Sequence, residues 1–378
     1  NKILLLDDAK QVIAFPGSTL HNLQKKIAPF NRAPHSEIGS SCIGASIVGG
    51  ICNSSGGSLI KRGPAYTEYA VFASIDEKGK LKFHNKLGLD LGKSPEEILT
   101  SLDQNKISNN LILKSNAKAS STDYSQIVKN TDANTPARYN ADPNKLYDAS
   151  GCAGKIAVFA VRVDTFKKEE EEKVFYLSTN NSKDFTNFRK AALKKVNELP
   201  IYAEYMHKDA FKVSKKYGKD AFLLINLLGT NSMPLFYKLK AKLENFFINS
   251  KLFSNNFLDK FLNGVTDILP EHIPGIFNKL NKKFEHHLIF KCDKNTYNEF
   301  KKIALEIFNN KNNHFLECNE NQAKKIILNR FVFAGATARY AVLNKNSNSD
   351  ILALDVAHRR NEETWDEKLP LAIRKHII

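Results

Sequence analysis

The stretch IGSSCIGASIVGGICNSSGG, residues 38–57, decides how the rest of the chain is read. It holds six glycines, five serines and no charged residue, in a chain that is 25% charged overall. Small side chains let a ligand approach the backbone and leave N–H groups exposed to it. With no Lys or Arg present, a ligand's charge would fall to backbone dipoles and helix ends. A short helix is expected over residues 45–52, its N-terminus pointing back at Gly44 and Ser41. The plainer alternative is a loop or linker. A linker has no use for Ile38, Ile43, Ile47, Val48 and Ile51, which need burial, so a buried, ligand-cradling turn is the preferred reading. No G-x-G-x-x-G follows a strand here, and there is no Walker pattern.

The chain has 378 residues, enough for two domains with their own cores. No apolar run approaches eighteen residues, so no bilayer-spanning helix is expected. The opening NKILLLDD is too short and too soon acidic for a signal peptide, and reads as a strand. The formal charge is +16, and most of the excess lies beyond residue 150. Such a field favours anionic partners: a membrane surface, nucleic acid, or an anionic substrate drawn to a cleft. A generally Lys- and Asn-rich composition is the plainer source. The five cysteines (42, 52, 152, 292, 318) show neither C-x-x-C nor zinc spacing. They read as reduced thiols of an intracellular protein, with Cys42 and Cys52 packed among small neighbours.

Outward from the central stretch, residues 2–7 and 11–15 read as paired strands. Ser18 or Thr19 caps a helix that runs to Ile27 with Leu20, Leu23 and Ile27 on one face. Residues 69–75 and 80–84 form a hairpin around the turn 76–79, and Pro95 opens a helix. Residues 115–134 read as a polar, exposed excursion, and 135–143 as irregular. The strongest strand pattern is KIAVFAVRV, residues 155–163. The charge run FKKEEEEK, residues 166–173, reads as a solvated turn at a domain boundary. Strand and helix then alternate: strands at 174–178, 201–206, 286–292 and 315–318, helices at 184–197, 207–217, 296–309 and from 321 to 330 or beyond. That alternation predicts an α/β second domain.

Residues 233–283 stand apart. Phe253, Phe257 and Phe261 recur every four residues, with Lys238, Lys240, Lys242, Lys251 and Lys260 interleaved. Basic residues beside an aromatic face suit a helix lying at a membrane interface. An ordinary packed amphipathic helix is the alternative, and Glu244, Asp259 and Asp267 dilute the positive charge.

Several blocks carry a resemblance. The central stretch continued by SLIKRGPAYTE (58–68), TPARYNADP (135–143), SGCAGKIAVFAVR (150–162), EYMH (204–207), YGKD (217–220), EHHL (285–288), DILALD (350–355) and RRN (359–361) resemble the membrane-associated, quinone-dependent D-lactate dehydrogenases. These are flavoproteins of the vanillyl-alcohol-oxidase type. The blocks are long, specific and spread over nearly the whole chain. The resemblance implies an α+β fold: an FAD-binding PCMH-type domain, of which residues 1–165 are the C-terminal portion, followed by an α/β cap, or substrate, domain over 166–378. It places a basic membrane-binding insertion at 233–283. It also implies that family members extend beyond both ends, with a pyrophosphate-binding turn upstream, so the chain is expected to be partial. Flavin contacts carry over onto Gly39, Ser46, Gly56 and Val158, with Ser40 and Gly50 as neighbours. The cofactor implied is non-covalent FAD, and no metal.

Oxidising a 2-hydroxy acid requires a hydride acceptor, a base for the hydroxyl proton, and a cation for the carboxylate. His286 and His287, at the start of a strand, offer the base, and alternation puts one of them on each face. His207 is the next candidate. Arg330, Arg339 and Arg138 are candidate carboxylate partners. A structural or surface role is the plainer alternative for each. The implied function is oxidation of D-lactate to pyruvate, with electrons passed to quinone, by a peripheral enzyme on the cytoplasmic side of the cell inner membrane, against an anionic phospholipid surface. A related enzyme for another D-2-hydroxy acid is the nearer rival. A basic lipid- or nucleic-acid-binding protein is the more distant one. The uncharged central stretch speaks against it, because a polyanion site would be rich in Lys and Arg, and no nucleic-acid partner is expected.

Overall fold

Two apolar runs on either side of Asp7-Asp8-Ala9-Lys10 begin the chain, and they pair as expected. The computed structural model describes residues 2–36, 44–57, 59–152, 154–169, 171–250, 257–344 and 357–363. The chain divides into two compact units, residues 1–170 with 357–362 and residues 171–356 with 363–378.

In the first unit, β1 (Ile3–Leu6) and β2 (Gln11–Ala14) form an antiparallel hairpin. Helix α1 (Leu20–Ile27) is capped by Thr19, whose Oγ1 accepts the Asn22 amide at 3.1 Å. Strand β3 (Arg32–Ala33), helix α2 (Ile47–Cys52), the hairpin β4 (Ala70–Ile75) and β5 (Leu81–Asn85), helices α3 (Pro95–Asp103) and α4 (Tyr124–Lys129), and strands β6 (Ala157–Asp164) and β7 (Phe166–Lys167) follow. Five strands make one antiparallel sheet in the order β1-β2-β6-β4-β5. The strand with the strongest sequence pattern, β6, is its centre. One face of the sheet buries Val12, Ala14, Phe72, Val161 and Val163 against Leu23 and Ile27 of α1 and Ile47 and Ile51 of α2. The other buries Ile13, Val71 and Ala160 against Ile98 and Leu102 of α3. Each large side chain fully buried this way contributes about 1.5–3 kcal/mol.

Two expectations change in this unit. The polar excursion over residues 115–134 contains α4, a six-residue helix too short to show a period. Its Tyr124 ring meets Tyr139, itself buried, edge-on at 6.1 Å. The charge run over 166–173 is not one solvated turn. Phe166–Lys167 pair with Arg32–Ala33, and the next strand already begins at Glu172. Lysines from a neighbouring strand and loop account for the acids: Lys291 meets Glu172 at 2.9 Å and Lys294 meets Glu171 at 2.8 Å.

The second unit opens with β8 (Glu172–Thr179), α5 (Lys183–Lys195), β9 (Tyr202–His207), α6 (Lys208–Tyr217) and α7 (Lys219–Leu228). Next come α8 (Met233–Ser250), α9 (Phe257–Ile268) and α10 (Gly275–Lys283). The chain then forms β10 (His286–Asp293), α11 (Tyr297–Ile307), β11 (Asn313–Cys318), α12 (Glu320–Phe331) and α13 (Phe333–Leu343). The predicted alternation of strand and helix of the α/β domain is present, and the pairing it left open is antiparallel. The sheet runs β11-β8-β10-β9 and every pair is antiparallel. Each strand–helix–strand unit is split: β10 inserts between β8 and β9, and β8 between β10 and β11. This is the interleaved arrangement of a split βαβ fold. Alternation along the sequence does not say whether a crossover skips one strand.

One face of this sheet is aromatic. Phe290 lies 5.1 Å from Phe188 of α5 and 4.9 Å from Phe300 of α11, and all three are buried. The opposite face carries Tyr176, His287 and Ile289, and Phe277 of α10 meets Tyr176 edge-on at 4.9 Å. Helices α7, α8, α9 and α13 are joined by a buried ion network. Arg339 of α13 grips Asp220 of α7 with both terminal nitrogens at 2.6 Å and Asp259 of α9 at 3.0 Å, and Lys240 of α8 reaches Asp259 at 2.8 Å.

Candidate functional site

In the first unit the candidate site is built on α2. Ser46 caps it, its Oγ accepting the Gly49 amide at 3.0 Å. A side chain at position 49 would place its Cβ 2.6 Å from that oxygen, so the cap requires glycine there. The helix starts beside α1: Leu20 N–H donates to Ala45 and Ile47 N–H to Ser18, both at 2.9 Å. Ile47, Val48 and Ile51 face the core, so the polar and glycine positions are left to the other side. The helix covers 47–52 of the expected 45–52, and Ser54, one residue past its Asn53 cap, is a non-glycine residue at φ +43°.

Of the flavin-contact candidates, Gly39 and Ser40 lie outside the described residues. Ser46 and Gly50 lie on α2 or at its cap, and half-buried Val158 of β6 packs against the core cluster that contains Ile47, Val48 and Ile51. The turn that launches β6 is tied to α2 as well. Gly151 N–H donates to Ile51 O at 3.1 Å, at φ +71° where glycine is favoured. Gly56 has no described atom within 4 Å of where a Cβ would be.

Sequence reasoning gave no role to three residues of this region. Ser150 is fully buried and holds Thr67 by both backbone groups, donating to its carbonyl at 2.7 Å and accepting its amide at 2.9 Å. Ser36 and Ser54 are buried, and among the described residues their hydroxyls have no hydrogen-bond partner. Buried polar groups are almost always paired, so each of these two oxygens calls for a partner outside the described residues. Nothing in a serine-rich sequence distinguishes them from their neighbours. Close by in sequence, His35 is fully buried, and burial followed by Arg62 lowers its pKa to about 4. Cys52 and Cys152 are free thiols, and burial, then Cys152, pushes Cys52 up to about 12.

In the second unit the predicted alternation separates the two histidines. His287 is enclosed: its Nδ1 lies 2.9 Å from Ser178 Oγ, its Nε2 3.4 Å from the Asn281 amide nitrogen, and its ring stacks on Tyr176. Burial lowers its pKa to about 3. His286, on the opposite face, is half-buried, and its Nδ1 lies 2.8 Å from the Tyr205 hydroxyl. His207 pairs with it across the strands, the rings 5.7 Å apart. Arg330 shares the face of His287 and is ion-paired through Nε to Glu204. Burial pushes the Glu204 carboxyl up, and Arg330 opposes that shift. The sheet therefore divides the three catalytic candidates: His287 and Arg330 on one side, His286 with Tyr205 on the other. Arg339 is spent on Asp220 and Asp259, and Arg138 lies near Tyr124. The sequence singles out Tyr205 only as part of the Tyr205-Met206-His207 block, and the pairing of that strand with the one carrying His286 gives it its partner.

Beyond Gly229 the helices are exposed on their apolar side. Leu235, Leu239 and Phe246 of α8 and Phe261 and Ile268 of α9 face solvent, as do Leu227 and Leu228 at the end of α7. Lys238, Lys242 and Lys260 are exposed beside them. Phe257 and Phe261 stack at 6.2 Å, as their spacing predicts, while Phe253 and Lys251 lie outside the described residues. Asp259, expected to dilute the charge, is instead consumed internally by Arg339 and Lys240. Among the described residues no single helix is long and apolar enough to cross a membrane. Only α12 and α13 together reach that length and composition, with a 47° bend between them.

The family described as D-lactate dehydrogenase, membrane binding, matches residues 174–378. A quinone-dependent D-lactate dehydrogenase of Escherichia coli (strain K12) is 44% identical over 378 residues, covering 100% of this chain and 66% of its own length. One from Haemophilus influenzae is 44% identical over 379 residues, covering 100% and 67%. One from Corynebacterium glutamicum is 35% identical over 372 residues, covering 98% and 65%. This chain thus spans about two thirds of the length of these relatives. A solved alkyldihydroxyacetonephosphate synthase aligns over 90% of this chain and 45% of its own at 8% identity and a TM-score of 0.43, a likeness too slight to carry an argument. By the family match and the full-length relatives, the chain belongs to the quinone-dependent D-lactate dehydrogenases.

Proposed function

We propose that this chain is the larger part of a flavin-dependent enzyme that oxidises D-lactate to pyruvate and delivers the electrons to a membrane quinone. The named relatives are quinone-dependent D-lactate dehydrogenases, which supports the reaction. One observation supports the flavin: just beyond α2, Ser54 has a buried hydroxyl with no partner among the described residues, and Gly56 has no described atom within 4 Å of where a Cβ would be. The cofactor is non-covalent FAD, held in a PCMH-type unit by Ser46, Gly50, Gly56 and Val158 and by Gly39 and Ser40. When bound, the flavin accepts the hydride from carbon 2 of the acid.

A base must be reachable by substrate. His286 meets that condition better than the enclosed His287, and the Tyr205 hydroxyl fixes its orientation. Arg330 is neutralised by Glu204 on the other face and is not carried forward as the carboxylate partner. The exposed apolar side of α7, α8 and α9, flanked by lysines, is the surface that meets an anionic phospholipid layer. The enzyme is then peripheral, on the cytoplasmic side of the inner membrane.

Gly56→Leu in the full-length protein tests the flavin placement. The open space lets the side chain fit, so the variant keeps its circular dichroism while its FAD content collapses. A variant that folds and holds FAD as the parent does would remove the flavin from this cradle.

A further inference from the structure

Two thiols from distant parts of the first unit meet at the end of α2. Cys52 is the last residue of that helix and packs, half-buried, against its apolar core. Cys152 stands in the turn that launches β6, one hundred residues further on, and is half-buried too. Backbone on both sides of Cys52 touches the residue before Cys152. Ile51 O accepts the Gly151 amide at 3.1 Å, and a Cβ at position 151 would stand 3.3 Å from Ser54 Oγ. The two thiols are hydrogen-bonded to each other, and neither is in a disulfide. The cysteines of the second unit are placed differently. Cys292 of β10 is buried with Phe290 and Phe300, whereas Cys318 of β11 stands opposite Val174, on the face of Tyr176. Those two lie on opposite faces of their sheet. Cys42 is outside the described residues.

We propose that Cys52 and Cys152 are an oxidisable pair, which hydrogen peroxide closes reversibly into a disulfide that clamps the end of α2 to the start of β6. Thiols in contact and partly open to solvent are the ones that such an oxidant reaches and that then resolve each other. The Cys152 sulfur attacks one peroxide oxygen, the O–O bond breaks, and hydroxide leaves with the thiol proton as water, giving a sulfenic acid. The Cys52 sulfur then attacks the oxidised sulfur. The S–S bond forms as the S–O bond breaks, and the hydroxyl leaves with the Cys52 proton as a second water. Two thiols and one peroxide become one disulfide and two waters, with two electrons passing to the peroxide oxygens. The order of attack follows from the surroundings. Burial, then the Cys152 charge, pushes Cys52 up to about 12, so it waits as a thiol. Oxidation of Cys152 removes the second of those causes. Exchange with a dithiol reverses the bond. The pairing rests on the contact of the two sulfurs and stands apart from the flavin reading.

The test is peptide mapping of the full-length protein after treatment with hydrogen peroxide, with the remaining thiols blocked by N-ethylmaleimide. The parent yields a peptide pair joined through Cys52 and Cys152, and dithiothreitol restores both thiols. These two readouts need no variant. Cys52→Ser stops at the sulfenic acid, which dimedone traps at position 152. Cys152→Ser leaves Cys52 oxidised at least about tenfold more slowly than in the parent, as expected of a protonated thiol. A parent with no Cys52–Cys152 link, a link from either of them to Cys42 in its place, or Cys52 oxidised equally fast in Cys152→Ser would each overturn the proposal.

Discussion

The amide of Gly151 donates to the carbonyl of Ile51 at 3.1 Å, joining two glycine-rich turns that are one hundred residues apart in sequence. The first turn ends α2 and the second launches β6. Their union ties the end of α2 to the start of β6.

Ser150→Ala should loosen that union. The hydroxyl serves both backbone groups of Thr67 in a fully buried place. Its loss strands a donor and an acceptor, at a cost of about 1–3 kcal/mol. Urea denaturation should show the lower midpoint, with flavin retention falling alongside. An unchanged midpoint would mean that the tie is redundant.

Arg339→Met should cost more, about 3–5 kcal/mol, because it leaves Asp220 without its buried cation and Asp259 with Lys240 alone. Asp220 and Asp259 have side chains only 11% and 10% exposed. Hydrogen exchange should report the damage in α7, α9 and α13 and spare β8 and β10. Uniform loss of protection would contradict a local latch.

Acid should destabilise the fold well above the carboxylate range. His35 and His287 titrate near about 4 and about 3 in the folded chain, against 6.5 ordinarily, with burial as the first cause. As pH falls below 6.5 the unfolded chain takes up these protons and the folded chain does not. Stability is therefore whole above 6.5 and is lost as pH falls toward 4, by roughly 1.4 kcal/mol per group per pH unit. Denaturant midpoints between pH 7.5 and 4.5 measure the slope. His35→Leu should remove about one proton's worth of it; the parent slope retained in that variant would assign the effect elsewhere.

The two histidines should separate in kinetics. His286→Gln is expected to slow flavin reduction by about 10²–10⁴, the usual contribution of a general base, with stability nearly unchanged. His287→Gln should act on stability, since its ring is enclosed by Ser178, Tyr176 and Asn281. Stopped-flow reduction and urea melts of both variants decide which histidine is chemical.

Substituting Leu239, Phe246 and Phe261 together by serine should weaken sedimentation with phosphatidylglycerol vesicles by more than about tenfold, because each large apolar side chain contributes on the order of 1 kcal/mol or more when buried. Binding that depends on salt alone and ignores these substitutions would leave only the lysines at the surface.

Much of this architecture was legible because its signals are local. Thr19 capping α1, the β4–β5 hairpin and the central β6 follow from spacing, turn residues and β-branched runs. Alternation at His286-His287 foretold one histidine on each face. The split pairing of the second sheet was not legible, since whether β10 enters between β8 and β9 depends on contacts across more than one hundred residues. Partners were hidden for the same reason. Glu204 beneath Arg330, Asp220 beneath Arg339 and Tyr205 beside His286 are long-range pairings that no spacing rule reaches. The short helix at Tyr124–Lys129 fell below the length at which periodicity can be read.

The most direct test of the account is the visible spectrum of the full-length protein, recorded anaerobically before and after D-lactate. The account predicts flavin absorption that bleaches with D-lactate and persists with L-lactate. Absence of flavin absorption, even after reconstitution with FAD, would contradict it.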